Sequence, residues 1–233
     1  MKQRWEIGVA IFGTLLLVWS HYTGLFVAPP EAMMGDVGRI LYAHVPTAWV
    51  GLLTYLVAFV AAIGALATGK AAWDAMVEAT VEVGLLLNVL LLIQGSLWAK
   101  PTWGVYWTWD PRLTTCAIMV VAFGVVLAIR RQIDEPMRRL TLSSVATIIA
   151  FVNVPIVYMS VKWWKTLHQP YSSPETVDSA MVTPLRVAAF GMLFLSTGFV
   201  VRRWRIARTA LERDFDAPDL PAESAPLAVE DSP

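Results

Sequence analysis

Aromatic and charged side chains are concentrated in one short stretch, WGVYWTWDPR, which runs from Trp103 to Arg112. Indole and phenol rings offer wide apolar faces on which a flat ligand can stack. An arginine can bind a carboxylate through two hydrogen bonds. Asp110 is suited to orienting Arg112 or a loop N–H. The stretch therefore predicts an aromatic platform for a flat, anionic ligand, and haem, whose ring is flat and whose propionates are anionic, is one candidate.

Three histidines accompany this stretch, His21, His44 and His168. Neutral imidazole is a good axial ligand for haem iron. His44 and His168 fall in different loops at similar predicted depth, so they can approach one iron from opposite faces. Taken singly, an interfacial histidine is more often solvated or hydrogen-bonded than a ligand, and the neighbours of His21 add nothing. The single cysteine, Cys116, is not part of a C-x-x-C-H motif, so covalent c-type attachment is excluded.

Arg39 and Arg112 are the cations best placed for haem propionates, because both fall on the predicted side of the histidines. Trp98 and Trp103 can equally be interface anchors, as tryptophans often are at membrane surfaces. Residues and spacing alone thus indicate an aromatic-rich site on a membrane protein, with haem as one candidate.

The elements that position these residues are apolar. The chain has 233 residues, of which 57% are hydrophobic, and a mean hydropathy of +0.57. Runs of about 18 or more apolar residues predict membrane-spanning helices. We expect an all-α, polytopic protein in which residues 1–213 form one domain, and the acidic, Pro- and Ala-rich tail 214–233 is expected to be disordered. The six predicted spans cover residues 7–27, 46–68, 81–99, 113–129, 142–161 and 182–201.

The distribution of basic residues predicts the orientation. With the N-terminus inside, six of the 18 Lys and Arg residues lie outside and the remaining 12 inside, which the positive-inside rule favours. Both termini are then cytoplasmic, and the short loops 28–45, 100–112 and 162–181 face outward. The outer bases are Arg39, Lys100, Arg112, Lys162, Lys165 and Arg186. No long basic run indicates nucleic acid.

Several residues inside the predicted spans are unusual in lipid. Asn88 and Gln94 interrupt the third span and follow Glu78 and Glu82. Such groups more often bond between helices or reach the headgroups than line a proton or cation path. Pro155 predicts a bend in the outer half of the fifth span. Pro46 suits the first turn of the second, which places His44 just before that helix.

Three separated motifs carry a family resemblance. The segment WGVYWTWDPRLT resembles the tryptophan-rich WWD signature of haem-handling membrane proteins. The run HVPTAW from His44, and the runs NVPIVY from Asn153 and VKWW through TLHQ to Gln169, are similar to the haem exporter protein C (CcmC) family of bacterial cytochrome c maturation. The resemblance covers roughly residues 5–205. Tyr106 departs from the family's tryptophan but keeps a ring for stacking.

The resemblance implies a location in the bacterial inner membrane and non-covalent, transient binding of haem b on the periplasmic side. His44 and His168 are then the axial ligands, and Trp103, Trp107 and Trp109 form the platform together with Asp110. It also implies delivery of haem to the chaperone CcmE, and association with the small membrane protein CcmD and the ABC transporter subunits CcmA and CcmB. The chain has no nucleotide-binding motif, so we expect no ATPase of its own and no bond-making role.

Three other functions remain open on the sequence. A haem lyase relative shares the tryptophan-rich loop, although the short chain argues against it. A transporter would move haem or another substrate through the bundle, past Glu78, Glu82, Asn88 and Gln94. A scaffold subunit of an ABC transporter would bind no haem.

Overall fold

The computed structural model describes residues 4–168 and 178–216, and within these ranges the protein is all-helical, with no β-strand. Six helical segments are long and apolar enough to cross a membrane, which confirms the predicted six-helix, multi-pass fold. The fifth of them consists of two successive helices. The helices are α1 (Trp5–Phe26), a 3-10 helix (Asp36–Ile40), α2 (Leu41–Thr68), α3 (Ala71–Trp103), α4 (Pro111–Gln132), α5 (Pro136–Phe151), α6 (Asn153–Trp163) and α7 (Ser179–Asp216).

Local sequence explains where these helices begin and end. The Asp110 side chain caps the N-terminus of α4, where Pro111 is the first helical residue. Glu135 caps α5 in the same way, ahead of Pro136. At the other ends, α2 and α3 stop at Gly69 and Gly104, whose φ angles of 64° and 80° are left-handed and suit glycine. Gly104 therefore turns the chain directly into the aromatic stretch.

Helices α2 and α3 lie at the centre, because each packs on several others, while α1 packs mainly on α7. A Cβ atom at Gly13 or Gly191 would collide with backbone of the facing helix, so glycine permits the close approach of α1 and α7. The Tyr55 and Phe123 rings stack at 3.5 Å between centroids and join α2 to α4. Small residues and stacked rings thus hold the helices around the central pair.

The fifth span is interrupted close to the place where a bend is predicted. Helix α5 ends at Phe151, and α6 begins at Asn153 after Val152. Pro155 has no N–H to offer the carbonyl four residues earlier, which is that of Phe151. The Asn153 amide instead donates to the Thr115 carbonyl at 2.8 Å, which fastens the start of α6 to α4.

Some helices extend beyond the predicted spans. Helix α3 begins at Ala71, ten residues before the predicted span, and α7 continues to Asp216, so Asp214 of the predicted tail lies in a helix. The rest of that tail, residues 217–233, lies outside the described residues. Helix α2 begins at Leu41, so His44 is inside the helix rather than before it. The Asn88 amide bonds within its own helix, to the Gly84 carbonyl, not between helices.

Charged pairs explain the early start of α3. Arg130 donates to the Asp74 carboxylate at 2.5 Å, to Glu78 at 2.8 Å and to the Ser143 hydroxyl at 2.9 Å. Arg203 of α7 pairs with Glu78 at 2.6 Å and also with Glu82. We call this end of the bundle, marked by Arg130 and Arg203, the arginine end. The end that carries His44 and His168 is the histidine end.

Candidate functional site

A cleft of about 310 Å³ opens at the histidine end between α2, α3, α4 and α6. The part of its lining that comes from the predicted site consists of both predicted iron ligands, two platform tryptophans and one arginine: His44, His168, Trp103, Trp107 and Arg112. Its deeper wall is apolar and includes Leu52, Leu91, Leu92, Leu113 and Cys116. The cleft therefore joins a polar mouth to an apolar interior.

The two histidines face each other across this cleft, with ring centroids 6.4 Å apart and ring planes inclined by 32°. His44 is the fourth residue of α2, whereas His168 lies beyond the end of α6 in a segment without helix. The Nδ1 atom of His44 is buried and has no hydrogen-bond partner among the described residues. His21 does not line the cleft, and its ring bonds to the Leu17 carbonyl at 2.7 Å. One histidine pair, and not the third histidine, is thus brought together.

The predicted platform divides into two parts. Trp103 ends α3 and Trp107 follows in the loop, and both line the cleft. Trp109 contacts Trp107 edge-on at 5.8 Å between centroids, but 81% of its surface is exposed and it does not line the cleft. Tyr106 is also exposed, beneath the Lys100 ammonium at 5.4 Å from its ring centre. The structure therefore separates an inner pair of rings from an outer pair.

Asp110 is buried and contacts neighbouring protein groups. Its Oδ1 accepts the Arg112 N–H at 2.9 Å, and its Oδ2 accepts the Leu167 N–H at 2.7 Å. The Thr166 hydroxyl lies 2.8 and 2.7 Å from the two oxygens. Like-charged propionates are repelled by a carboxylate, so this geometry suits the orienting role considered for Asp110 and not contact with the ligand.

The two arginines predicted for carboxylates differ in position. Arg112 lines the cleft, and its guanidinium donates to the Val157 carbonyl at 2.8 Å. Arg39 does not line the cleft. It donates to the Gly24 and Ala28 carbonyls at 2.6 and 2.9 Å and pairs with Asp36, so it closes the C-terminus of α1. Only Arg112 is within the candidate site.

Three aromatic residues of the lining were not predicted as site residues: Trp49, Trp98 and Tyr158. Each sits on a helix, and Trp98 meets Trp103 edge-on at 5.1 Å between centroids. Helical periodicity offered no clear signal, because Trp49 lies five residues after His44 on α2 and so about 140° away from it around the helix axis. The side of a helix that faces a cleft depends on how the helices pack, which periodicity alone does not determine in a protein that is apolar all round.

Comparison with known proteins supplies the family. The family "Heme exporter protein C" (CcmC) matches residues 1–218, which is most of the chain. The chain belongs to the haem exporter protein C family. It is 34% identical over 200 residues to "Heme exporter protein C" of Bradyrhizobium diazoefficiens, covering 83% of this chain and 75% of that one. The Escherichia coli K12 protein of the same name is also 34% identical, with 84% and 81% covered.

A plant relative extends the comparison. The "Putative cytochrome c biosynthesis ccmC-like mitochondrial protein" of Marchantia polymorpha is 31% identical over 197 residues, which cover 83% of this chain and 84% of that one. Membership of the haem exporter protein C family confirms the predicted recognition. It assigns this multi-pass membrane protein to haem handling in cytochrome c maturation.

Proposed function

We propose that the protein binds haem b non-covalently between His44 and His168, at the periplasmic face of the bacterial inner membrane, and delivers it to the haem chaperone CcmE. The observation that carries this proposal is the pair of imidazole rings 6.4 Å apart in one cleft lined by tryptophans. Two imidazoles that bind one metal through nitrogen at about 2 Å each have ring centres roughly 6 to 6.5 Å apart. The separation of 6.4 Å agrees with a shared iron.

The surroundings of the histidines support the same ligand. Trp103 and Trp107 offer ring faces, the leucines of the deeper wall suit an apolar macrocycle, and Arg112 brings one cation to the mouth. Trp49, Trp98 and Tyr158 add three further rings. Trp109, Tyr106 and Arg39 lie outside the lining. We therefore propose them as residues of the rim or of partner contact, and no longer as haem contacts.

The periplasmic placement is supported by charge. The arginine end collects Arg130 near the end of α4, Arg139 near the start of α5 and Arg203 in the second half of α7, as is usual on the cytoplasmic side. The cleft then opens outward, where a chaperone can reach haem. We propose CcmD, CcmA and CcmB as further partners in the bilayer. CcmA would supply ATP hydrolysis, and this chain would hold haem and transfer it.

The test is an absorption spectrum of the purified protein, oxidised and reduced, after expression with its partners and ample haem. We expect a low-spin spectrum of bis-histidine type in the wild type, and a lost or shifted Soret band in His44→Ala and in His168→Ala. His21→Ala is the matched control and should keep the wild-type spectrum. Undiminished haem in the double variant His44→Ala/His168→Ala would refute the ligand assignment.

Transport through the bundle has less support. Glu78 and Glu82 are occupied by Arg130 and Arg203, and the Asn88 amide bonds to its own helix. These residues therefore do not present a continuous polar path. Haem found in mid-membrane instead of at the histidine end would favour the transporter, and a wild type without haem would favour the scaffold.

A further inference from the structure

The two proposed iron ligands are held in different ways. The backbone of His44 belongs to α2, and an adjacent hydroxyl, that of Thr47, bonds back to the Ala43 carbonyl of the same helix. His168 lies past the last residue of α6, Trp163, in a segment that is not helical. Moving His44 requires α2 to unwind or shift, whereas His168 can move with its own segment. Contacts of that segment therefore help to set the position of His168.

Asp110 provides such contacts. Its carboxylate accepts hydrogen bonds from the Thr166 hydroxyl and from the Leu167 N–H, and the Thr166 oxygen in turn accepts the His168 N–H at 3.0 Å. The same carboxylate caps α4 through the Arg112 N–H. Hydrogen bonds to a buried carboxylate are stronger than those between neutral groups. Asp110 and Thr166 thus connect the segment carrying His168 to the N-terminus of α4.

We propose that Asp110 and Thr166 are positioning residues that hold His168 at the iron, and that His168 is the ligand released first when haem leaves. The inference rests on the proposed haem site. Neither residue touches haem. Loss of the hydrogen bonds that Thr166 makes to Asp110 and to the His168 N–H would loosen the His168 segment while His44 stays on its helix. Haem would then be held by His44 alone. A docking partner then meets an iron with one open axial position.

Substitutions can separate the positioning of His168 by Asp110 and Thr166 from the capping of α4 by Asp110. Asp110→Asn keeps one side-chain oxygen, and asparagine caps helices about as well as aspartate. The NH2 group of the new asparagine, however, would face the Leu167 N–H. Two donors cannot bond to each other, so the hydrogen bond between Asp110 and the segment that carries His168 would be lost. Thr166→Val removes the hydroxyl and keeps the side-chain shape, while Thr166→Ser restores the hydroxyl. Thr141→Val, at the arginine end, is the matched control, because the Thr141 hydroxyl bonds only within its own helix, to the Met137 carbonyl.

The experiment records the spin state and ligation of haem by absorption and electron paramagnetic resonance, together with the rate of haem loss to an excess of apomyoglobin. Thr166→Val and Asp110→Asn should lose the bis-histidine signature, as His168→Ala does, and release haem about tenfold faster. Thr166→Ser and Thr141→Val should behave as the wild type. Adding His168→Ala to Thr166→Val should change nothing further, whereas adding His44→Ala should remove haem.

The outcomes distinguish failure of this inference from failure of the proposed function on which it rests. A Thr166→Val protein with an intact bis-histidine spectrum and wild-type release would overturn the positioning role and leave the haem site standing. Additive effects of Thr166→Val and His168→Ala would also overturn it, since the two residues would then act independently. A wild type whose spectrum shows no histidine-ligated haem would overturn the proposed function itself.

Discussion

At the arginine end, Asp74 and Arg130 are both buried and bonded to each other, and Arg130 also reaches Glu78 and Ser143. At the histidine end, the buried Nδ1 atom of His44 has no partner among the described residues, and the His44 side chain lines a cleft of about 310 Å³. Buried polar groups normally find partners, because leaving one without a hydrogen bond costs free energy. The paired charges therefore stabilise the arginine end, whereas the unbonded imidazole nitrogen at the histidine end is consistent with the proposed ligand site.

Breaking the charged pair is the largest test of this contrast. Asp74→Ala leaves Arg130 as a buried cation with an incomplete set of partners, and it should lower the free energy of unfolding by about 3–5 kcal/mol. Thermal unfolding in nanodiscs measures the change. Arg131→Ala, nearby on α4 and exposed, is the control and should shift stability little. A stable Asp74→Ala protein that loses only haem would reverse the roles assigned to the two ends.

Filling the cleft tests the other half of the comparison. A Cβ atom at Gly95 would lie 3.4 Å from the Cε1 atom of His44, so Gly95→Leu should occupy the space beside the ring. We expect haem affinity to fall at least about tenfold while the melting temperature stays close to that of the wild type. Gly124→Leu is the control, because a Cβ there meets nothing within 4 Å. Haem titration and thermal unfolding give the two readouts. Equal haem affinity in both variants would mean that the cleft beside His44 is not the haem site.

The smallest expected effect separates the inner ring pair from the outer one. Trp107→Ala removes a ring from the cleft lining and should weaken haem binding by about 1 kcal/mol, which is roughly fivefold. Trp109→Ala removes a ring that is 81% exposed and should change haem affinity less than twofold. Equilibrium haem titration of both variants checks the difference. If Trp109→Ala weakens binding as much as Trp107→Ala, the platform extends beyond the cleft and includes Trp109, as the resemblance implies.

Much of the fold could be read from hydropathy. Six apolar runs give six spanning helices, and Pro155 marks the break at Val152. Hydropathy failed at the start of α3, because it scores Asp74, Glu78 and Glu82 as exposed charges and has no knowledge of Arg130 and Arg203. A partner on another helix makes such residues compatible with a spanning segment.

The candidate site was predictable where it depends on loops and motifs, and less so where it depends on helix packing. His44, His168 and Arg112 were singled out from their types and places in the chain, and the cleft brings them together. Trp49 and Tyr158 were missed as lining residues because their direction follows from neighbouring helices. Arg39 illustrates the opposite case, because the sequence singles it out for the site and it does not line the cleft. A lone cation near the membrane surface invites a ligand, yet here the carbonyls at the end of α1 already receive its hydrogen bonds.

The interruption at Val152 divides the fifth span into two helices, α5 and α6. Helix α5 contributes Ser143 to the arginine end, and helix α6 contributes Tyr158 and Val161 to the cleft. A substitution that tilts α6 need not be transmitted along a continuous helix to Ser143. Substitutions in α6 can therefore change the wall of the cleft while the arginine end of the bundle keeps its structure.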